Sequence, residues 1–264
     1  MNKKKNYLDN FKLRNKISIV IGGSGLIGKE ICQALSQVGS KVINLDIKRS
    51  TNSKNIKYEY FNVKDIDFKI KLNQIKKKYG SPTILVNTSY PSTSDWAKNT
   101  FEKLTDKSYK QNIDLHLNSY VLIAKKFADF LKKEKLNGCL VLLSSIYGIV
   151  AQDMNFYQNS KLSNNFTYPV IKGSINMLTK QMASYYGKYG IRVNCISPGG
   201  IQGHVKNSKK KQSKKFIKNY SEINPLKRLA KVEEISPAAI FLASDASSYI
   251  TGINLVIDGG WTSI

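Results

Sequence analysis

The feature that most constrains this chain lies near its start. Lys16–Ile21 is a short β-branched run that leads directly into Gly22-Gly23-Ser24-Gly25-Leu26-Ile27-Gly28. Helical apolar spacing follows over Lys29–Val38, through Ile31, Leu35 and Val38, and stops at Gly39. Lys41–Leu45 is a second strand-like run, closed by Asp46. Strand, glycine turn, helix, strand and acid make one βαβ unit, with parallel strands and a right-handed crossover. Gly22 permits a tight turn, Gly25 lets backbone approach a pyrophosphate, and Gly28 lets the helix pack close on the sheet. The helix N-terminus then offers free N–H groups to phosphates. Asp46, 18 residues beyond Gly28, is placed to accept hydrogen bonds from ribose hydroxyls and to repel an extra ribose phosphate. The pattern points to a dinucleotide, NAD in preference to NADP, with Ser24, Leu26 and Ile27 in the same turn. Lys48 and Arg49 follow closely and soften that preference.

The alternation continues to the end of the chain. Strand-like runs recur at Lys57–Phe61, Thr83–Asn87, Cys139–Leu143, Ile191–Ile196 and Asn254–Ile257. Helical patterns separate them at Phe68–Tyr79, Ser108–Lys133, Tyr168–Tyr186 and Glu233–Leu242. This predicts an α/β fold with one doubly wound parallel sheet of about seven strands between two helix layers. No linker or repeat interrupts it, so residues 1–264 read as a single domain with a basic lead-in over 1–15. Two stretches break the alternation, and both follow the C-terminal end of a strand, where open α/β sheets bind ligands. Residues 149–167 form a polar insertion. Residues 200–226 carry Lys206, Lys209, Lys210, Lys211, Lys214, Lys215 and Lys218, and read as a substrate lid.

Composition removes several classes. Apolar runs such as Ile17–Ile21 and Cys139–Leu143 are far below the ~18 residues that span a bilayer, and the basic N-terminus lacks the apolar stretch of a secretory signal. Cys32, Cys139 and Cys195 lie in apolar contexts without CxxC spacing, which suits a reducing compartment, and no metal-ligand pattern is present. The formal charge is +24, from 42 basic and 18 acidic residues. Only four of the basic residues are arginines (Arg14, Arg49, Arg192 and Arg228), and the lysines are spread along the whole chain. Bidentate base readers rely on Arg. The charge therefore reads as solvated surface, with no specific nucleic-acid partner.

Later motifs complete a family pattern. They are Leu85-Val86-Asn87, Leu142-Leu143-Ser144-Ser145, a Tyr-x-x-x-Lys pair, Ile191-Arg192-Val193-Asn194, Ser197-Pro198-Gly199-Gly200 and the tail Phe241–Asp245, Gly252 and Asp258-Gly259-Gly260. In this order, with the glycine turn, the chain resembles a classical short-chain dehydrogenase/reductase from end to end. The resemblance implies a Rossmann-like sheet, a nicotinamide cofactor, hydride transfer at a carbonyl/alcohol carbon, and a homotetramer or homodimer in the cytoplasm. Two Tyr-x-x-x-Lys pairs compete. Tyr157 and Lys161 lie 12 residues after Ser145, a spacing normal for the family, but Asn164-Asn165 would interrupt their helix. Tyr168 and Lys172 open a helix that ends near Gly187–Gly190, at the family's distance before Ile191, and are the better choice.

An i, i+4 pair shares one helix face, so a Lys172 cation beside Tyr168 is expected to lower the phenol's pKa. By resemblance, Tyr168 exchanges the substrate proton, Lys172 also holds the nicotinamide ribose, and Ser145 rather than Ser144 holds the substrate oxygen. Asn62, Val63, Asn87, Pro198, Gly199 and Ile201 complete the cofactor set. Three departures stand out. His116 falls where the family carries a relay Asn on its central helix, with Asn112 and Asn118 out of register. Asn87-Thr88-Ser89-Tyr90 replaces Asn-Asn-Ala-Gly, and Asn62-Val63 replaces Asp-Val. His116 remains able to donate or accept, so it joins the candidate catalytic set. Ser144-Ser145-Ile146-Tyr147-Gly148, the insertion before Tyr168, Pro169 and Gly173 beside the pair, and Ser197-Pro198-Gly199-Gly200-Ile201 resemble bacterial oxidoreductases of surface-sugar pathways, including flagellin-glycan and nonulosonate synthesis. The lysines would suit an anionic sugar derivative. The rivals are 3-oxoacyl-(acyl-carrier-protein) reduction, a nucleotide-binding regulator on a degenerate scaffold, and a polyanion binder.

Overall fold

In the computed structural model, which describes residues 6–49, 55–64, 67–153, 164–203 and 212–264, seven parallel strands form one sheet. They are β1 (Ile17–Ile21), β2 (Lys41–Asp46), β3 (Ile56–Tyr60), β4 (Ile84–Asn87), β5 (Gly138–Leu143), β6 (Ile191–Pro198) and β7 (Asn254–Ile257). Their order is β3-β2-β1-β4-β5-β6-β7. β1, β4 and β5 are nearly continuous apolar runs because helices cover both faces of the sheet. On one face lie α1 (Leu26–Gln37) and α7 (Ser236–Ala243), with Ile31, Leu35, Ala239 and Leu242 packed on Val20, Val86 and Val141. On the other lie α2 (Phe68–Tyr79), α4 (Ser119–Lys133) and α5 (Thr167–Tyr186), with Tyr120, Phe127, Ile171 and Ile175 packed on Ile19, Leu85 and Leu140. The order reverses at β1 and β4, where Ile21 pairs with Asn87. The strand ends Asp46, Asn87, Leu143 and Pro198 therefore share one edge, the ligand-binding edge of such sheets.

Three expectations from sequence are refined. The predicted helix Ser108–Lys133 is broken. α3 (Asp106–Asn112) passes through a π-helical turn at Ile113–Asn118 before α4 begins, and His116 lies in that turn. The stretch read from sequence as a lid holds a helix of its own, α6 (Lys214–Ile223), whose Tyr220 is buried. The basic lead-in is partly structured: Leu13 is buried in the α1/α7 core, and its N–H donates to Val38 O. Tyr157, Lys161, Lys206 and Lys209–Lys211 lie outside the described residues.

Candidate active site

Steric demand at the glycine turn is visible atom by atom. Gly22 has φ +74°, a left-handed conformation. A Cβ on Gly28 would stand 2.2 Å from Gly22 O and 2.7 Å from Thr88 Oγ1. A Cβ on Gly25 would meet nothing nearer than Gly22 O at 3.3 Å, so this glycine faces outward. Gly25 caps α1 without a side-chain hydrogen bond, which leaves the first N–H groups and the positive helix end open to an anion. Asp46 accepts from Ser24 N and Lys48 N, both at 3.0 Å, and is fixed at the end of β2 beside the turn. Leu26 is exposed at the mouth, and Ile27 packs towards the α1/α7 core. Asn62 Oδ1 accepts from Lys64 N, while Val63 packs against the opposite core. Asn87 Oδ1 takes Ser89 N and Oγ, which holds the bend after β4. Gly199 N–H donates to Ile257 O, and Ile201 bridges to Ala230. The cradle, the open helix end and the carboxylate fit a dinucleotide.

The catalytic candidates assemble at the end of β5. Ser144 Oγ donates to Lys172 O at 2.9 Å and so serves the backbone of α5. Ser145 instead shares a side-chain hydrogen bond with Tyr168. The next turn approaches α5 so closely that a Cβ on Gly148 would lie 2.7 Å from both Lys172 C and O. Lys172 is buried, and its Nζ donates to Leu143 O at 2.8 Å. The ammonium lies 5.6 Å from the Tyr168 ring centroid, 5.4 Å from Tyr120 and 5.9 Å from Tyr90. Burial pushes Lys172 from 10.5 down to about 7, with Cys195 opposing weakly. Burial also pushes the Tyr168 hydroxyl above 10.0, and the Ser145 hydrogen bond offsets part of that rise. The expected lowering of the phenol by Lys172 is thus absent here: desolvation outweighs a cation engaged on Leu143 O.

His116 is buried beside Tyr90, at 5.0 Å between ring centroids, and Tyr120, at 5.5 Å. The flanking asparagines are committed elsewhere. Asn112 Nδ2 donates to Thr93 Oγ1, and Asn118 Nδ2 to Asp114 Oδ1.

Sequence reasoning missed an aromatic group around Tyr168. Tyr90 and Trp96 lie 5.8 Å and 6.5 Å from its ring, and 5.8 Å from each other. The departure at Tyr90 was the available signal, since it puts a large ring where the family pattern has Gly. The loop that carries Trp96 is tied to α5. Asn165 Nδ2 donates to Trp96 O at 2.9 Å, while Asn165 Oδ1 accepts Tyr168 N at 2.8 Å. Asn99, fully buried, takes Thr167 Oγ1 on its side-chain oxygen and Phe166 N on its carbonyl.

Comparison with known proteins agrees with this geometry. A family profile described as enoyl-(acyl carrier protein) reductase matches residues 24–262. The chain belongs to the short-chain dehydrogenase/reductase family. Post-translational flagellin modification protein A of Campylobacter coli is 33% identical, over 94% of this chain and 99% of that protein. Sorbose reductase of Candida albicans is 29% identical over 97% of this chain and 90% of its own. A short-chain dehydrogenase from Leptospira borgpetersenii, solved with bound NAD+, superposes with TM-score 0.84 and 32% identity, covering 99% of this chain and 98% of that one. As a member of the family, this chain is an oxidoreductase that acts on alcohol or carbonyl groups with NAD(P).

Proposed function

We propose that this chain oxidises or reduces one carbinol or carbonyl carbon of a sugar derivative in surface-glycan synthesis, with NAD. The observation that carries the reading is the Ser145–Tyr168–Lys172 group, set beside an open glycine cradle that ends at Asp46. Bound NAD(P) supplies the hydride acceptor or donor. Gly22, Ser24, Gly25, Leu26, Ile27 and Gly28 would hold its pyrophosphate, and Asp46 its adenosine ribose. Asn62, Val63, Asn87, Pro198, Gly199 and Ile201 would line the rest. Ser145 orients the substrate oxygen, and Tyr168 takes its proton in oxidation or returns it in reduction. Lys172 binds the nicotinamide ribose and loads the proton path, and His116 carries the relay role on the central helix.

The sugar assignment draws support from relatives named for flagellin modification and for sorbose. A glucose 1-dehydrogenase of Bacillus subtilis is also 26% identical. Lys214, Lys215 and Lys218 are exposed on α6 and suit an anionic substituent. Three buried free cysteines suit a cytoplasmic protein. A homotetramer or homodimer follows the family habit.

The test supplies NAD or NADP with nucleotide sugars, phosphosugars, 3-oxoacyl thioesters and a bacterial metabolite extract, and follows cofactor absorbance. Tyr168→Phe is expected to lower kcat by at least about 100-fold and to leave NADH binding unchanged. NADH binding without Tyr168-dependent turnover of any carbonyl would support the regulator reading instead. Turnover confined to thioesters would move the substrate to an acyl carrier.

A further inference from the structure

We propose that Tyr90 and Trp96 are specificity-determining residues that bind the C–H face of a six-membered sugar ring beside Tyr168. This rests on the sugar reading above and deepens it. Tyr90 and Trp96 meet edge to face, at 87°, and Trp96 is nearly perpendicular to the Tyr168 ring, at 82°. Three rings at such angles make a corner rather than a flat stack. All three are half-buried, so each keeps accessible surface while being held in place.

The polar ends of the wall are engaged internally: the Trp96 side chain hydrogen-bonds the Tyr90 hydroxyl. What remains for a ligand is ring surface. Aromatic faces are electron-rich and attract the polarised C–H groups along one face of a pyranose. The hydroxyl rim of the same sugar is left to polar groups, and Ser145 and Tyr168 stand beside the wall to take the reacting oxygen. A linear polyol presents no such rigid face and gains less.

The wall is also preorganised. The Asn165 side chain bonds both Trp96 O and Tyr168 N, so one residue ties the backbone that carries Trp96 to the backbone that carries Tyr168. The buried Asn99 carries a second tie, from the Trp96 loop to Phe166 and Thr167 at the start of α5. Neither tie is a feature of the glycine cradle, so Trp96 is held independently of the turn that would bind the cofactor.

The experiment uses the full chain, saturating NAD, and two probe sets: methyl hexopyranosides with their 6-phosphates and nucleotide-diphosphate hexoses, against linear hexitols. Trp96→Leu and Tyr90→Leu are expected to raise KM for ring substrates by about tenfold or more while kcat changes less than about threefold. KM for hexitols is expected to move less than about threefold, and NADH binding to stay unchanged. Trp96→Tyr, which restores a ring, is expected to recover most of the KM, and Tyr90→Phe, which keeps the ring, to shift it little. Turnover of ring sugars with unmoved KM in both Leu variants overturns the wall and leaves the sugar reading standing. Equal KM increases for rings and hexitols overturn it as well, since general loosening does not discriminate. No ring sugar turned over by the unaltered enzyme overturns both readings together.

Discussion

Lys172 shows at the residue scale what burying a lysine costs in stability. A lysine that is free at 10.5 in the unfolded chain and sits at about 7 in the fold is disfavoured whenever it is charged. Between those values the unfolded chain binds the proton and the folded chain does not, so stability rises with pH across about 7 to 10.5. Below pH 7 both states are protonated and the full desolvation penalty is present. Lys172→Met keeps a similar apolar volume and removes the charge. The cofactor-free variant is therefore expected to melt at least about 3 °C above the parent at pH 7, with the gap closing towards pH 10, while losing turnover. Calorimetry at three pH values checks the sign; a variant that melts lower at pH 7 shows that the ammonium is stabilised in place. Asp46 gives a second residue-scale outcome. Its carboxylate is fixed by Ser24 N and Lys48 N, so on the proposed reading the charge, rather than loop order, would set the repulsion of a ribose phosphate. Asp46→Asn removes the charge and keeps one of the two acceptor oxygens that Ser24 N and Lys48 N use, and is expected to shift the ratio of kcat/KM for NADP over NAD upward by about tenfold. Steady-state rates with both cofactors measure it.

At the scale of elements, what the sequence made legible follows from where each constraint originates. The glycine turn was readable because its sterics are local: Gly28 must pass Gly22 O, and Asp46 closes the very next strand. The helix of the Tyr168–Lys172 pair was readable from its far end, since α5 runs unbroken from Thr167 to Tyr186 and the next strand follows at Ile191. The π-helical turn carries no proline or glycine signal. It is a response to tertiary packing, with His116 drawn in among Tyr90 and Tyr120 and the Ser119 hydroxyl donating to His116 O. The Trp96 loop has no periodicity, so nothing local reveals that it folds onto Tyr168. The link runs through single asparagines, Asn165 to Trp96 across 69 positions and Asn99 to Thr167 across 68, and such pairings are invisible without the fold. Asn165→Ala deletes two of these hydrogen bonds and frees the end of α5. It is expected to cost about 1–3 kcal/mol in denaturant unfolding and to lower kcat as well as raise KM, because Tyr168 itself loses its tie. A loss confined to KM would mean that Tyr168 is held from within α5 and the wall alone depends on Asn165.

The whole molecule raises a separate question, which is what a charge of +24 does to a fold built around an anion-binding edge. A domain of this length has a radius of gyration of roughly 18 Å, and the Debye length is about 30 Å at 0.01 M salt and about 8 Å at 0.15 M. At low salt every lysine therefore repels every other, and at physiological salt only neighbours interact. Some lysines are neutralised locally: Glu59 accepts from Lys71, Lys78 and Tyr79, which hold its carboxyl down to about 2. Most have no such acid within the composition. If the excess is solvated surface, any 1:1 salt relieves it equally. The melting temperature is then expected to climb by several degrees between 0.01 and 0.15 M and to level off, identically for sodium and potassium chloride. If the lysines instead form a built polyanion site, millimolar polyphosphate or duplex DNA must stabilise more than chloride at equal ionic strength, by mass action on a folded-state site. Thermal shift across these salts at matched ionic strength decides between the two. The arginine-poor, dispersed distribution favours the first result.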